Sequence, residues 1–419
     1  MTGWASRSRL LAGLPPEALV IASIAFCVAL GYGIAAPALP LYAASFGVSA
    51  LLASAVISVF ALMRLVASPG AGAAVERIGE RRVLTSGLVI VAASSLFAAL
   101  ARTYLQLLVL RGLGGIGSAM FTVSAMALLL RVVAPDQRGR AAGAFQAGFL
   151  LGAVLGPAVG GAVIGLSIRA PFIVYAATLT VAALVAWSRL PAHGRSAEPL
   201  GTGPPAAPGD GGAATGPAAP ALLHALRGSP FRAALAANLT NGFVTFGLRM
   251  SLVPLFIVEG LGQSGRWAGL AFLVAALANI AVLTGAARMA DRRGRRPAML
   301  LGTATTAAGM VLLALSGAAW SLLAAMAVLG AASAFMGSAP AAVAGDVAGS
   351  GGKGSIIAAF QMTADFGAIM GPLVAGLLAD AFGFTWAFLA GAAVAALAVL
   401  LSAAMTETLR PTAAPGGPA

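Results

Sequence analysis

Charge is what this sequence has least of. Only 9% of its 419 residues are Asp, Glu, Lys or Arg, where an ordinary soluble protein carries about a quarter. So few charges cannot clothe a water-facing surface of this size, which excludes a soluble enzyme or a soluble binding module. Cysteine is confined to Cys27, which rules out an intramolecular disulfide. Histidine occurs twice, at His193 and His224, both in one polar stretch without further ligand types nearby. No metal site follows, no cofactor is called for, and no cluster of acids, His or Cys marks one face as an enzyme centre. Acids are scarcer than bases, 12 against 25, for a net charge of +13. That balance would suit nucleic acid, but the arginines sit in short loops between apolar runs. Such a distribution speaks for membrane topology and against a nucleic-acid partner.

What remains is apolar: 60% of the chain is hydrophobic. Crossing a hydrocarbon core takes about 20 such residues per helix. Twelve spans are predicted, at about 18–42, 50–73, 83–101, 104–130, 140–165, 170–190, 231–258, 266–288, 298–316, 319–345, 355–379 and 384–405. The first run is long enough to span and belongs to the repeat described below, so it is not read as a cleavable signal. Residues 1–190 form a first six-helix half and 230–405 a second; 191–229 is a Pro/Gly/Ala-rich solvated linker, and 406–419 a tail. Leu222, Leu223 and Leu226 predict a short surface helix near the linker's end. With both termini inside, nineteen basic residues are cytoplasmic, three are outside and three lie within spans. That asymmetry fixes the orientation.

The two halves are copies. A shift of 215 positions takes Phe145-Gln146 to Phe360-Gln361, and Gly152, Gly156, Pro157 and Gly161 to Gly367, Gly371, Pro372 and Gly376. The same shift takes Glu76-Arg77 to Asp291-Arg292 and Gly79 to Gly294. Internal duplication is a signature of transporter folds. Within the first copy, Gly148, Gly152, Gly156 and Gly160 recur every four residues and make one bare helix ridge. Small-residue ridges let helix backbones meet closely in a bilayer, and Gly156-Pro157 should bend the helix.

Three motifs carry a family resemblance. The spacing of Gly143, Gly152, Gly156, Pro157, Gly160 and Gly161 resembles the helix-5 "antiporter" motif of the major facilitator superfamily. The loop from Gly72 to Leu84, GAAVERIGERRVL, resembles that family's G-x-L-A-D-R-x-G-R-R signature, with Glu76 in place of Asp and Glu80 in place of a base; ARMADRRGRR repeats it. The segment from Arg111, RGLGGIGSAM, resembles the helix-4 motif R-x-x-Q-G-x-G with Gly114 in the glutamine position. The resemblance implies an all-α integral membrane fold of twelve transmembrane helices in two pseudo-symmetric six-helix bundles. It also implies alternating access around a midplane cavity.

The residues then take expected roles. Gly72, Glu76, Arg77, Gly79, Arg81, Asp291, Arg292, Gly294, Arg295 and Arg296 form conformational latches, an acid and several arginines brought together by tight turns. Gly143, Gly152, Gly156, Pro157, Gly160, Gly161, Gly367, Gly371 and Pro372 form the hinge, placed where the halves meet. Arg64, Arg111, Arg249 and Asp365 are the charges within spans, and buried ionisable groups in a membrane face cavities or partners. Asp365 is read either as the proton carrier or as half of a static ion pair. In the implied fold Arg64 is its partner, and Arg111 joins it in proton coupling. Tyr32, Gln146, Asn238, Asn241, Phe243, Arg249 and Gln361 are expected to line the substrate cavity. Glu259, Asp346 and Asp380 fall near span ends and read as solvated boundary residues.

The expected function is proton-coupled efflux of small hydrophobic or drug-like compounds by a monomer in the plasma membrane. Its partners are substrate, protons and lipid. Import or facilitated passage of a small metabolite is the alternative. A channel would not need paired latches.

Overall fold

The computed structural model describes residues 14–134, 137–191, 218–348 and 353–409. Among them there are helices and no strands. In chain order these are α1 (Pro16–Ala35), α2 (Ala38–Ala44), α3 (Ala50–Ile78), α4 (Glu80–Ala99), α5 (Tyr104–Val132), α6 (Arg138–Ile164) and α7 (Ala170–Arg189). After the interval 192–217, which lies outside the described residues together with most of the expected linker, come α8 (Ala218–Arg227) and α9 (Ser229–Thr240). Then follow α10 (Arg249–Leu255), α11 (Arg266–Arg292), α12 (Arg295–Ala314), α13 (Ala319–Ala348), α14 (Lys353–Phe382) and α15 (Phe384–Ala404).

Eleven spans among the described residues are long and apolar enough to cross a membrane; α6, with 27 residues, completes the twelve-helix pattern. The chain is therefore an all-α membrane protein, as its composition requires. Away from its ends, such a helix satisfies its backbone polar groups internally, which is what the hydrocarbon demands. The predicted surface helix near the linker's end is α8.

Two spans are less regular than their hydropathy suggests. The first turns at Ala36-Pro37 between α1 and α2. The seventh changes winding twice: Asn241–Leu248 and Phe256–Gly260 are π-helical, on either side of α10. Wide turns of this kind are rare and concentrate at functional sites.

The described residues fall into two compact units. The first draws on Met1–Asp210, Gly247–Leu273 and Ile369–Phe384; the second on Gly211–Phe246, Val274–Ala368 and Thr385–Ala419. Within the first unit, α14 meets the start of α3. The backbone N–H groups of Ala50 and Leu51 donate to the two carboxylate oxygens of Asp380 at 2.8 and 2.9 Å. Ser49 Oγ accepts from Leu52 N, so the opening donors of α3 are all answered. These donors have no partner inside the helix. A Cβ on Gly376 would stand 2.6 Å from Leu51 Cα, and Ser58 Oγ donates to the Ile369 carbonyl at 2.7 Å. Asp380, expected as a solvated boundary residue, is exposed near the end of α14 and also caps a distant helix.

Within the second unit, a core of small and aromatic residues gathers around Phe231, Met299, Val343 and Phe360. Asn238 donates its amide to the Phe360 carbonyl at 2.6 Å. A Cβ on Gly242 would fall 2.8 Å from the carbonyl carbon of Ala364, and one on Gly367 would fall 2.6 Å from Phe243 N.

Candidate functional site

The glycine ridge of α6 lies against α1. A Cβ on Gly148 would stand 2.5 Å from the Ala22 carbonyl oxygen, one on Gly156 the same distance from that of Leu30, and one on Gly160 the same distance from that of Ile34. A Cβ on Gly152 would strike the Phe26 carbonyl oxygen. Both series advance by four residues in the same direction, so the helices run parallel in register, one turn against one turn. Glycine is required on this face because backbone, which cannot rotate away, fills the space. The ridge was expected where the halves meet; it is buried inside the first half, against α1. In the second copy, Gly367 likewise faces span 7, and Gly376 meets the start of α3. Gly371 and Pro372 are buried in α14, Pro157 is buried in α6, and Gly161 lies within α6. Gly143 has nothing within 4 Å of a built Cβ, so its place in the motif is not a packing requirement here.

The signature loops are turns on glycines that hold positive φ, 85° at Gly79 and 120° at Gly294, a conformation that side chains disfavour. Each glycine starts the next helix. In the first loop Glu76 and Arg77 are exposed and Gly72 has no close neighbour. The contacts belong instead to the next two residues. Glu80, buried, pairs with Arg131 at the end of α5 at 3.1 Å. Arg81 donates to the Trp187 carbonyl and lies over the Trp187 ring at 4.5 Å.

In the second loop Arg295 donates to Asp291 at 2.6 Å and to Asp346 on α13 at 3.3 Å, while Arg296 reaches the Ala403 carbonyl at 2.6 Å. Arg292 is exposed. Glu407, just past α15, accepts from the backbone N–H groups of Arg295 and Arg296 at 2.8 and 3.0 Å. Thr408 donates its hydroxyl to Asp346 at 2.9 Å. Burial alone would raise the Glu407 carboxyl; hydrogen bonds from the N–H groups of Leu409, Arg295, Arg296 and Thr408 outweigh it and hold the group below the usual carboxylate range. Asp346, expected as a solvated boundary residue, is exposed near the end of α13 and is also a member of this network. Neither Arg131 nor Glu407 was assigned to a latch from sequence. The signal for Arg131 lay in the repeat, since the 215-residue shift maps Glu80 onto Arg295 and Arg131 onto Asp346. Glu407 carried no such signal, because a carboxylate in a tail looks solvated.

Arg64 on α3 lies in the first unit and Asp365 on α14 in the second; both are half-buried. Arg249 is buried at the start of α10. Of the residues expected at the cavity, Gln146 and Gln361 are exposed, Tyr32 and Asn241 half-buried, and Asn238 and Phe243 buried. Arg111 is the most enclosed of the charges, 1% exposed. Its guanidinium carbon sits 4.4 Å from the centre of the Phe60 ring. A Cβ on Gly114 would lie 2.8 Å from Ser94 Oγ and, at 3.5 Å, in ordinary contact with Phe60. Among the described residues there is no cluster of His, Cys, Asp or Glu fit to hold a metal ion.

Twelve membrane helices from a duplicated half, with mirrored acid-arginine turns, define a membrane carrier. The family model described as Major Facilitator Superfamily matches residues 21–286 and 247–419, and the chain belongs to that family. Multidrug resistance protein 2 of Bacillus subtilis (strain 168) is 28% identical over 166 residues, 40% of this chain and 42% of that protein. Multidrug resistance protein MdtG of Yersinia enterocolitica is 34% identical over 154 residues, 36% of this chain and 37% of that protein. Each alignment thus spans well under half of the curated relative it matches. Among solved structures, an inward-facing, unoccupied bacterial homologue of the human lysosomal transporter Spinster superposes with a TM-score of 0.73. It shares 16% identity and covers 93% of this chain and 97% of that one. That likeness concerns the fold. The chain is a transporter and not an enzyme.

Proposed function

We propose that this protein exports small hydrophobic or drug-like compounds from the cytoplasm in exchange for protons, by alternating access. The observation that carries the reading is the α6 motif, seated glycine by glycine on α1. Its likeness to the antiporter motif, and relatives that are multidrug resistance proteins over part of their length, favour export over import. Residues 1–190 and 230–405 act as two bundles joined by the 191–229 linker, and a monomer suffices. Both termini, the linker and the signature loops face the cytoplasm of the plasma membrane, on the arginine asymmetry.

In this reading the two signature loops hold the cytoplasmic ends of each bundle rigid while the bundles rock. Asp365 carries the proton, with Arg64 as its counter-charge, because Asp365 is the carboxylate nearest mid-membrane. A substrate cavity uses Tyr32, Asn241, Phe243, Gln146 and Gln361.

The test is transport in everted vesicles under an imposed pH gradient, with a panel of hydrophobic compounds. Uptake into everted vesicles that collapses with the gradient is expected. Asp365→Asn should lose the pH-driven component yet keep exchange of substrate down its own gradient. Accumulation by right-side-out vesicles instead would make the protein an importer of a small metabolite. Intact pH-driven uptake by Asp365→Asn would remove that residue from coupling.

A further inference from the structure

Arg111 is enclosed by the first unit on every side and answered by none of it. Its Nε and both terminal nitrogens are buried, and among the described residues none of them has a hydrogen-bond partner. Its electrostatic neighbours are the phenols Tyr32 and Tyr175; no carboxylate is among them. The rings around it converge from separate helices. Tyr32 comes from α1, Phe60 from α3 and Tyr175 from α7, with Tyr32 centred 5.7 Å from Phe60 and 6.4 Å from Tyr175. A guanidinium has five N–H donors in a rigid fork. Here it rests on the face of Phe60 alone, an attraction that satisfies the charge in part and the donors not at all.

A buried cation with no counter-ion and no acceptor is among the most costly arrangements a membrane span can hold. It persists where something outside the chain completes it. A proton relay does not fit the surroundings, since a relay needs a titrating partner and a chain of hydrogen bonds. The position where a glutamine would supply one bond is Gly114, and a Cβ there would stand 2.8 Å from Ser94 Oγ. What the surroundings of Arg111 do offer is a two-pronged donor beside three aromatic rings.

We propose that Arg111 is the anchor for the carboxylate of an aromatic organic anion, and that the rings of Phe60, Tyr32 and Tyr175 receive the flat body of the same molecule. A planar carboxylate matches the guanidinium fork with two parallel charge-assisted bonds. The cation rests on the Phe60 ring, and that ring must move before an anion can reach it, because Arg111 is 1% exposed. The substrate class is therefore aryl carboxylates, within the carrier reading above.

The test is equilibrium binding to the purified full-length protein in lipid nanodiscs without a pH gradient. It is thus independent of transport direction and of proton coupling, and a failure here leaves the efflux reading to the vesicle assay. The probes are 1-naphthoate and a short series of aryl carboxylates, each paired with its methyl ester, with chloride titrated separately. The wild type should bind at least one acid about 10-fold or more tighter than its ester. Arg111→Gln should bind acid and ester alike, the acid affinity falling by the wild-type preference of about 10-fold or more, with ester binding kept within about 2-fold. Arg111→Lys keeps the charge and loses the fork, and should retain part of the preference; it decides the matter if Arg111→Gln does not fold. No acid-over-ester preference in the wild type overturns the proposal, as does an undiminished preference in a folded Arg111 variant. So does a site that takes chloride through Arg111 but no carboxylate.

Discussion

The two signature loops occupy the same place in the two halves and are wired with opposite charge. In the first, Glu80 at the start of α4 pairs with Arg131 at the end of α5. In the second, the residues one repeat later are Arg295 and Asp346, and they pair too. The pair has been kept and its polarity reversed. The reversal has a cost that the structure makes visible. A helix N-terminus favours an acid and a C-terminus a base. Glu80 and Arg131 both stand where the helix dipoles want them, whereas Arg295 and Asp346 both stand where they do not. The second half corrects this from outside: Glu407 brings a carboxylate to the bare N–H groups of Arg295 and Arg296, and Thr408 donates to Asp346. In the first half the pair of Glu80 and Arg131 already follows the helix dipoles. The duplicated device thus carries, in its second copy, an added carboxylate and hydroxyl from beyond α15.

The largest break in this parallel concerns the ridges. Gly152→Leu places a side chain where even a Cβ meets backbone, so its cost should reach or exceed the roughly 1–3 kcal/mol typical of overpacking. Gly143→Leu, in open space, should melt with the wild type. A Gly152→Leu protein with a wild-type melting temperature in detergent would mean that α1 and α6 do not touch along this face.

The charge swap comes next. Glu80→Arg faces Arg131 with a like charge and should lower stability by about 1–3 kcal/mol, the burial of Glu80 raising it above a surface pair. Arg131→Asp should do the same. The double variant, which writes the second loop's polarity into the first, should recover most of the loss in melting temperature and transport. Equal damage in single and double variants would show that the pair does not act as a unit.

Glu407→Gln should cost about 0.5–2 kcal/mol, the range for losing a helix cap. The sign with pH follows from its carboxyl lying below the ordinary value in the fold. The native state holds the ionised form more tightly, so the stabilisation is complete above the unfolded carboxyl pKa. It is lost as pH falls through the lower, folded one. Melting followed across the acid range should show that loss in the wild type and not in Glu407→Gln; identical curves would remove the cap from the account.

The smallest effect is expected at Glu76. Exposed in the first loop, it should tolerate Glu76→Gln within about 0.5 kcal/mol, while Asp291→Asn, which removes the charge from its pair with Arg295, should cost more. Parity between the two in a melting series would erase the difference drawn here between the loops.

Much of this was legible in the sequence. Composition required a membrane protein, run lengths located the spans, and the 215-residue shift exposed the duplication. The acid-arginine turns were found by their glycines, whose positive φ leaves few other residues. What stayed hidden depends on which surfaces meet. A four-residue glycine period says that a helix has a bare face but not which neighbour fills it, so the ridge could be assigned to the meeting of the halves when α1 occupies it. The π-helical stretches of span 7 leave hydropathy unchanged and are invisible to it. Asp380 and Glu407 look solvated because a carboxylate near a span end usually is; only the approach of a helix start from far along the chain gives each its partners. Arg111 was flagged as a buried charge, and Gly114 in the glutamine position as the loss of one hydrogen-bonding neighbour; the rings that gather around the guanidinium became visible only in the fold.

The cap that Asp380 places on α3 has a history in time as well as a place in space. Its two hydrogen bonds join residues 330 and 329 positions apart. At a synthesis rate of about 5–20 residues per second, α3 waits roughly 15–65 s between its own emergence and that of its cap. Through that interval the N–H groups of Ala50 and Leu51 must be satisfied by water. The start of α3 must therefore lodge at the wet boundary of the bilayer and not in its interior while the second half is made. The contact is among the last the chain can form, and a ribosome stalled before Asp380 would leave a first half that is inserted, packed along α1 and α6, and unsealed at that end.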